Sequence, residues 1–182
     1  MEQGRIVTLA QADRGAFFAL AAEYLPDSDP QRMERFARAW PGAFLALVDG
    51  SDVLGVAFGW PRRVVDPADD AFQLSGIAVR WEHWRRGLGR RLLAAFEAAA
   101  AGYGAARVSV GSAGGFVEEF YLACGYAPRQ YKVWMDGAPR VAATFADEAA
   151  YRAFRRPPGD GFVVMEKVLT GGCAHADQAG GV

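Results

Sequence analysis

The stretch from Gln73 to Arg91, QLSGIAVRWEHWRRGLGRR, constrains this chain more than any other. Leu74 to Val79 is a short apolar run with β-branched residues and reads as a buried strand. Trp84 to Gly89 follows as a basic turn punctuated by Gly87 and Gly89. Beyond it Leu88, Leu92, Phe96 and Ala99/Ala100 recur at helical spacing, with Leu93 beside them, so the turn opens directly into an amphipathic helix. A strand, a tight turn and a helix start bring several free backbone N–H groups to one point. The helix dipole adds partial positive charge there, and Arg85, Arg86, Arg90 and Arg91 add full charges. Such a turn can cradle a diphosphate. The same residues also fit a plain strand-to-helix turn whose arginines are only solvated.

The surrounding chain narrows the class. With 182 residues and 19.6 kDa it can bury one sizeable core, which predicts a single domain over residues 1–169 and a small, polar, disordered tail over 170–182. The formal net charge of −1 argues against a protein held to nucleic acid by a basic surface. Cys124 and Cys173 have neither metal-type spacing nor a disulfide pattern, and Cys173 with His175 in the tail does not make a zinc site, so no metal is expected. No apolar run approaches a membrane span and no signal-peptide pattern opens the chain, so the expected location is cytoplasmic, without a membrane partner.

Read in order, Arg5 to Leu9 is a strand, and Asp13 caps a helix carrying Phe17, Leu20, Ala21 and Tyr24. A second helix carries Met33, Phe36, Ala37 and Trp40 and stops at Pro41-Gly42. Phe44–Val48 and Val53–Trp60 form a hairpin, a polar loop spans Pro61–Asp70, and the central strand follows. The long helix ends near Gly104, and Arg107–Val110 is the next strand. A glycine-rich loop, Gly111 to Gly115, leads to a helix over Phe116–Cys124. Gln130–Met135 and Gly161–Leu169 are the last two strands, separated by an insertion with a helical patch at Glu148–Phe154. The strand–helix–strand from Leu74 to Val110 has to be a parallel crossover, flanked by hairpins in a mixed α/β sheet with helices on both faces.

Two of these segments resemble the GNAT N-acetyltransferases. Ile77-Ala78-Val79, then Arg85-Arg86-Gly87-Leu88-Gly89 with Leu92-Leu93, is similar to that family's acetyl-CoA-binding motif, and Phe120 to Tyr126 resembles its aromatic-Tyr-x-x-x-Gly-aromatic segment. The strand Val163–Leu169 is similar to its last strand. The resemblance implies a central mixed, mostly antiparallel sheet of six to seven strands, with a CoA cleft between two central parallel strands. It implies acetyl-CoA as cosubstrate, and an acceptor that is an amine-bearing small molecule or peptide attacking the thioester directly in a ternary complex. Arg85, Arg86, Gly87, Leu88, Gly89 and Arg90 would hold the diphosphate. The edge formed by Ile77, Ala78 and Val79 would pair with pantetheine and polarise the thioester carbonyl, and Tyr121 would donate a proton to the departing thiolate. The alternative is a regulatory or structural module that binds acyl-CoA without turnover.

Three positions depart from the family pattern. Trp84 stands where a Gln or Arg is usual, Gly114 where an Asn is frequent, and Gln73 near the place of a Glu base. No catalytic base is legible; Glu23, Asp69, Asp70, Glu118 and Glu119 are candidates that also fit solvated surface carboxylates. Cys124 reads as a small buried filler and His83 as turn packing. Phe58, Trp60, Trp40 and Tyr24 suggest aromatic walls around an acceptor pocket of little net charge, which equally fit a core. Acceptor choice is expected from Glu23–Trp40, Trp60–Asp70 and Asp136–Asp160. An unpaired terminal strand would allow a homodimer.

Overall fold

The computed structural model describes residues 4–64, 66–112 and 116–169; the expected tail, Cys173, His175 and Gly114 lie outside them. Eight strands form one sheet in the order β1-β2-β3-β4-β5-β8-β6-β7. These are β1 (Arg5–Thr8), β2 (Phe44–Asp49), β3 (Asp52–Pro61), β4 (Phe72–Val79), β5 (Arg107–Ser112), β6 (Ala127–Met135), β7 (Ala138–Thr144) and β8 (Gly161–Val168). All neighbours are antiparallel except β4 and β5, the parallel pair the crossover demanded. The sheet therefore exceeds the six to seven strands expected. The additional strand is β7, APRVAAT, whose exposed edge position removes the apolar alternation that would have revealed it. Its partner β6 carries the pattern instead.

Five helices flank the sheet: α1 (Arg14–Tyr24), α2 (Pro30–Ala39), α3 (Leu88–Gly102), α4 (Phe116–Ala123) and α5 (Glu148–Ala153). Local chemistry sets their starts. Asp13 accepts from the Ala16 N–H at 2.7 Å, and Asp29 accepts from Gln31 N–H at 2.9 Å with Pro30 at the first helical position. The continuous apolar run of β2 is explained by burial on both faces. Leu45 and Leu47 join the core under α3 and α4, while Phe44, Ala46 and Val48 join the core under α1 and α2. Leu88, Leu92, Leu93, Phe96 and Ala100 form the buried stripe of α3.

One irregularity matters for function. Phe58 faces Gly76 but Gly59 faces Leu74, so Ser75 is an extra residue on β4. Before this bulge Leu74 points into the α3 core; after it Ile77 and Val79 do, and Ala78 joins the α1/α2 core. The two strands close tightly here, since a Cβ on Gly59 would lie 1.9 Å from the Gln73 carbonyl oxygen. The bulge sits where β4 and β5 separate.

Candidate active site

β4 and β5 pair only at Phe72–Val108, Gln73–Ser109 and Leu74–Val110. From Ser75 to Val79, β4 keeps β3 on one side and has no ladder with β5 on the other. The direction of its polar groups follows from the Arg80 N–H, which donates to the Leu54 carbonyl at 2.8 Å. Bonded and non-bonded pairs alternate along an antiparallel ladder, so Ala78, opposite Val56, also turns its amide and carbonyl toward β3. Ile77 and Val79 turn theirs toward the opening. The expected edge of three residues is thus two, with Ala78 committed to β3. The Val79 carbonyl receives the Trp84 indole N–H at 2.6 Å, which pins the basic turn to the strand end.

The turn itself is shaped by two left-handed residues, Arg85 at φ 59° and Gly87 at φ 77°. Gly87 is the N-cap of α3 and accepts from the Arg91 N–H at 3.1 Å, but it offers no side-chain cap. The N–H groups of Leu88, Gly89 and Arg90 therefore lack helical acceptors. A Cβ on Gly87 would meet nothing within 4 Å, so this face of the turn is open. Leu88 contributes only main chain, because its side chain lies in the core. Arg85, Arg86 and Arg90 are exposed around the turn. Arg91 instead donates to the Gly4 carbonyl at 2.9 Å, which ties α3 to the N-terminal strand and removes it from the expected charge cluster.

Tyr121 lies on α4, packed between Phe120 and Tyr126 with ring centroids at 5.2 and 5.4 Å. It is 3% exposed, and burial pushes its phenol well above the usual range, with Cys124 adding to the shift. The group stays neutral and protonated at any ordinary pH. The neighbouring Phe120 ring would lie 3.7 Å from a Cβ on Gly89, and Val79 3.9 Å, so α4 borders the turn and the strand end.

The opposite face of the sheet holds a pocket of about 410 Å³ at the foot of the opening. Gln73, Leu74, Ser75 and Gly111 form its floor, and Trp60, Trp134 and Phe162 supply aromatic walls. Of the four aromatic residues expected around an acceptor, Trp60 alone lines this pocket; Phe58 is core, and the Tyr24 hydroxyl accepts from the Trp81 N–H at 3.3 Å. Arg32, Arg62 and Lys132 also line it, and among the described residues no carboxylate does. This pocket is therefore cationic, unlike the wall of little net charge expected around an acceptor. Lys132 and Trp134 sit two apart on β6 and so share a face, a signal present in the sequence but masked by the unrecognised hairpin with β7.

Of the candidate bases, Asp69, Asp70, Glu118 and Glu119 are each engaged by other side chains. The Gln73 side chain accepts from Arg62 at 3.2 Å and donates to the Leu74 carbonyl at 3.0 Å. Asp69 binds Arg62 at 2.6 Å and Arg107 at 3.0 Å, and Asp70 also binds Arg107 at 3.0 Å. Desolvation raises the Asp69 carboxyl, but the Ala71 N–H and the charges of Arg62 and Arg107 outweigh it and hold the pKa below the usual range. Glu118 is buried beneath Tyr151 and Arg156, and Glu119 pairs with Arg152 at 3.0 Å. Glu23 is exposed on α1. Cys124 is half-buried and free, and burial raises its thiol pKa, in keeping with a filler. Among the described residues no cluster of three or more His, Cys, Asp or Glu could hold a metal, and no helix is long and apolar enough to cross a membrane.

A mixed sheet opened between its parallel strands, with an anion-ready helix start at the opening, defines a class. Residues 8–126 match the acetyltransferase (GNAT) family model. The chain belongs to the GNAT family and is an acetyltransferase. Its fold is shared with an aminoglycoside 6'-N-acetyltransferase solved with coenzyme A, at TM-score 0.63 and 15% identity over 91% of this chain and 97% of that one. A GNAT family acetyltransferase from Elizabethkingia anophelis with acetyl-CoA bound matches at TM-score 0.59 and 12% identity, over 93% and 100% of the two chains. An acetyltransferase from Bacillus subtilis in complex with CoA matches at 0.58 and 15%, over 91% and 99%. No curated protein matches the sequence.

Proposed function

We propose that this protein is an N-acetyltransferase that moves the acetyl group of acetyl-CoA to an amine in a ternary complex. The observation that carries this reading is the meeting of the outward amides of β4 with the uncapped start of α3 beside the same opening. The thioester supplies an activated acyl group. The fit to CoA is good: an extended polar chain can pair with Ile77 and the Val79 N–H as a neighbouring strand would, and a diphosphate suits the N–H groups of Leu88, Gly89 and Arg90. Arg85, Arg86 and Arg90 add charge there, while the open face at Gly87 admits close approach. The Ile77 N–H is the donor best directed to hold a carbonyl oxygen as it gains negative charge.

Tyr121 keeps a proton for the departing sulfur. Its raised pKa makes complete transfer to a thiolate, whose conjugate acid has a pKa of about 8.5, uphill, so it acts chiefly by donating a hydrogen bond. The acceptor enters from the pocket on the other face and meets the thioester at the Ser75 bulge. Among the described residues no carboxylate lines that pocket, so an amine of pKa about 10.4 would have to shed its proton to water, at a cost of about 4–5 kcal/mol at neutral pH.

That same absence among the described lining residues favours one other reading, a catalytically weak acyl-CoA-binding module. Incubation with acetyl-CoA and a panel of amines, following release of free thiol, tests the enzyme. CoA binding without thiol release from any amine would establish the module instead.

A further inference from the structure

Around the pocket, charge is balanced except at two residues. Asp69, Asp70 and Glu166 are committed to Arg62, Arg107 and Arg129, with Glu166 at 3.7 Å from Arg107 and 3.9 Å from Arg129. Three carboxylates therefore answer three guanidinium groups. Arg32 and Lys132, from α2 and β6, make no ion pair among the described residues, yet both line the pocket. Arg32 lies over the Trp60 ring at 5.1 Å, which fixes it at the wall. Lys132 is half-buried on a β-strand, where bringing a second positive group near Arg62 is unfavourable. Burial first, and then the Arg62 charge, lower its pKa despite Asp69 and Glu166. Two positive groups held without partners beside aromatic surface form a site that a bound anion would complete.

We infer that the acceptor is a small amine that also carries a compact anionic group, a carboxylate or a phosphate, which Lys132 and Arg32 bind while Trp60, Trp134 and Phe162 pack against its apolar body. Arg62 reinforces the field from the floor, although Asp69 already engages it. Cationic polyamines and aminosugars are disfavoured for the same reason, since they would enter beside three positive groups with no carboxylate among the described lining residues to receive them. The inference rests on reading this pocket as the acceptor side of the proposed acetyltransferase.

Its test uses probes that cannot react, so it stands apart from turnover. Binding of 3-phenylpropanoate, phenyl phosphate and the neutral 3-phenylpropanamide is measured by calorimetry on the full chain, with and without CoA. At least one anion should bind roughly tenfold or more tightly than the amide, and Lys132→Met should abolish that preference. Which anion leads separates carboxylate from phosphate. Arg32→Gln, on an exposed helix face, should weaken the preference in the same direction without a folding risk. Equal binding of anions and amide to the wild-type protein, or a preference that survives both substitutions, would overturn the inference. Thiol release with phenylalanine against phenethylamine then reads the same preference in catalysis. Failure of transfer with anion selectivity intact would count against the enzyme reading alone.

Discussion

Leu74 and Val110 are the last pair of the parallel ladder, and Ser75, the next residue on β4, is the extra residue of the bulge against β3. Separation of the strands and reversal of side-chain phase thus fall at one residue. Above this point the β4 edge faces α3 and α4; below it Gln73 and Ser75 face the cationic pocket. In the proposed reaction this opening is where acetyl-CoA and the acceptor meet.

Gly87 offers the cleanest probe of the proposed diphosphate site. Its φ of 77° makes Gly87→Val costly to the backbone by about 1–3 kcal/mol, so lost binding in that variant would mix strain with crowding. Gly87→Asn tolerates the left-handed conformation. It should melt close to wild type yet bind CoA roughly tenfold more weakly by calorimetry, because any Cβ narrows the approach to the N–H groups. Unchanged affinity would remove the turn from CoA binding.

Tyr121→Phe keeps the ring between Phe120 and Tyr126 and deletes only the hydroxyl. We expect kcat to fall roughly tenfold, as for loss of a hydrogen bond to the sulfur and short of the ~10²–10⁴-fold of full general acid catalysis, with CoA affinity and Tm nearly unchanged. Because burial raises the phenol pKa, the wild-type pH–rate profile should show no loss assignable to tyrosine below about pH 10. A kcat within about twofold of wild type would make the hydroxyl structural.

Asp69 should make folding sensitive to acid. Its folded pKa is depressed below the unfolded value, so its contribution is present above about pH 4 and disappears as pH falls through the folded pKa. Asp69→Asn should cost roughly 1–3 kcal/mol at pH 7 in urea unfolding, by loosening Arg62 and Arg107. The difference from wild type should shrink as pH falls below about 4. A constant difference across that window would mean that the charge is not what matters.

Glu118 and Glu119 are adjacent on α4 but differ in burial, and their variants should differ accordingly. Glu118→Ala leaves Tyr151 and Arg156 without their shared carboxylate and should destabilise by about 1–3 kcal/mol in thermal unfolding. Glu119→Ala removes an exposed, solvent-screened pair with Arg152 and should leave the melting temperature close to wild type. Similar losses would show that the α5 segment is held by its aromatic contacts, Phe145 with Tyr151 and Phe154, rather than by the buried carboxylate.

Much of this protein is written locally. The Asp13 cap, the apolar stripe of α3 and the apolar run of β2 each depend on residues close in sequence, so their elements are legible without coordinates. The glycine turn before α3 is legible too, because an uncapped helix start after a short strand has one consequence for its N–H groups. Other features depend on partners far away in the chain. β7 is a strand only because β6 lies beside it, and Ser75 becomes a bulge only when Gly59 closes on Gln73. Ala78 turns inward and Ile77 outward through pairing with β3, which composition cannot reveal. Charge shows the same division. A net charge of −1 says nothing about a pocket, whereas the tertiary structure pairs Asp69 and Glu166 with arginines and leaves Lys132 and Arg32 facing the cleft. Sequence determined most of the elements and the glycine turn before α3 because helix ends and apolar periodicity are short-range effects. Tertiary structure decided the pocket, because electrostatic balance depends on which charges meet across β-strands far apart in the chain.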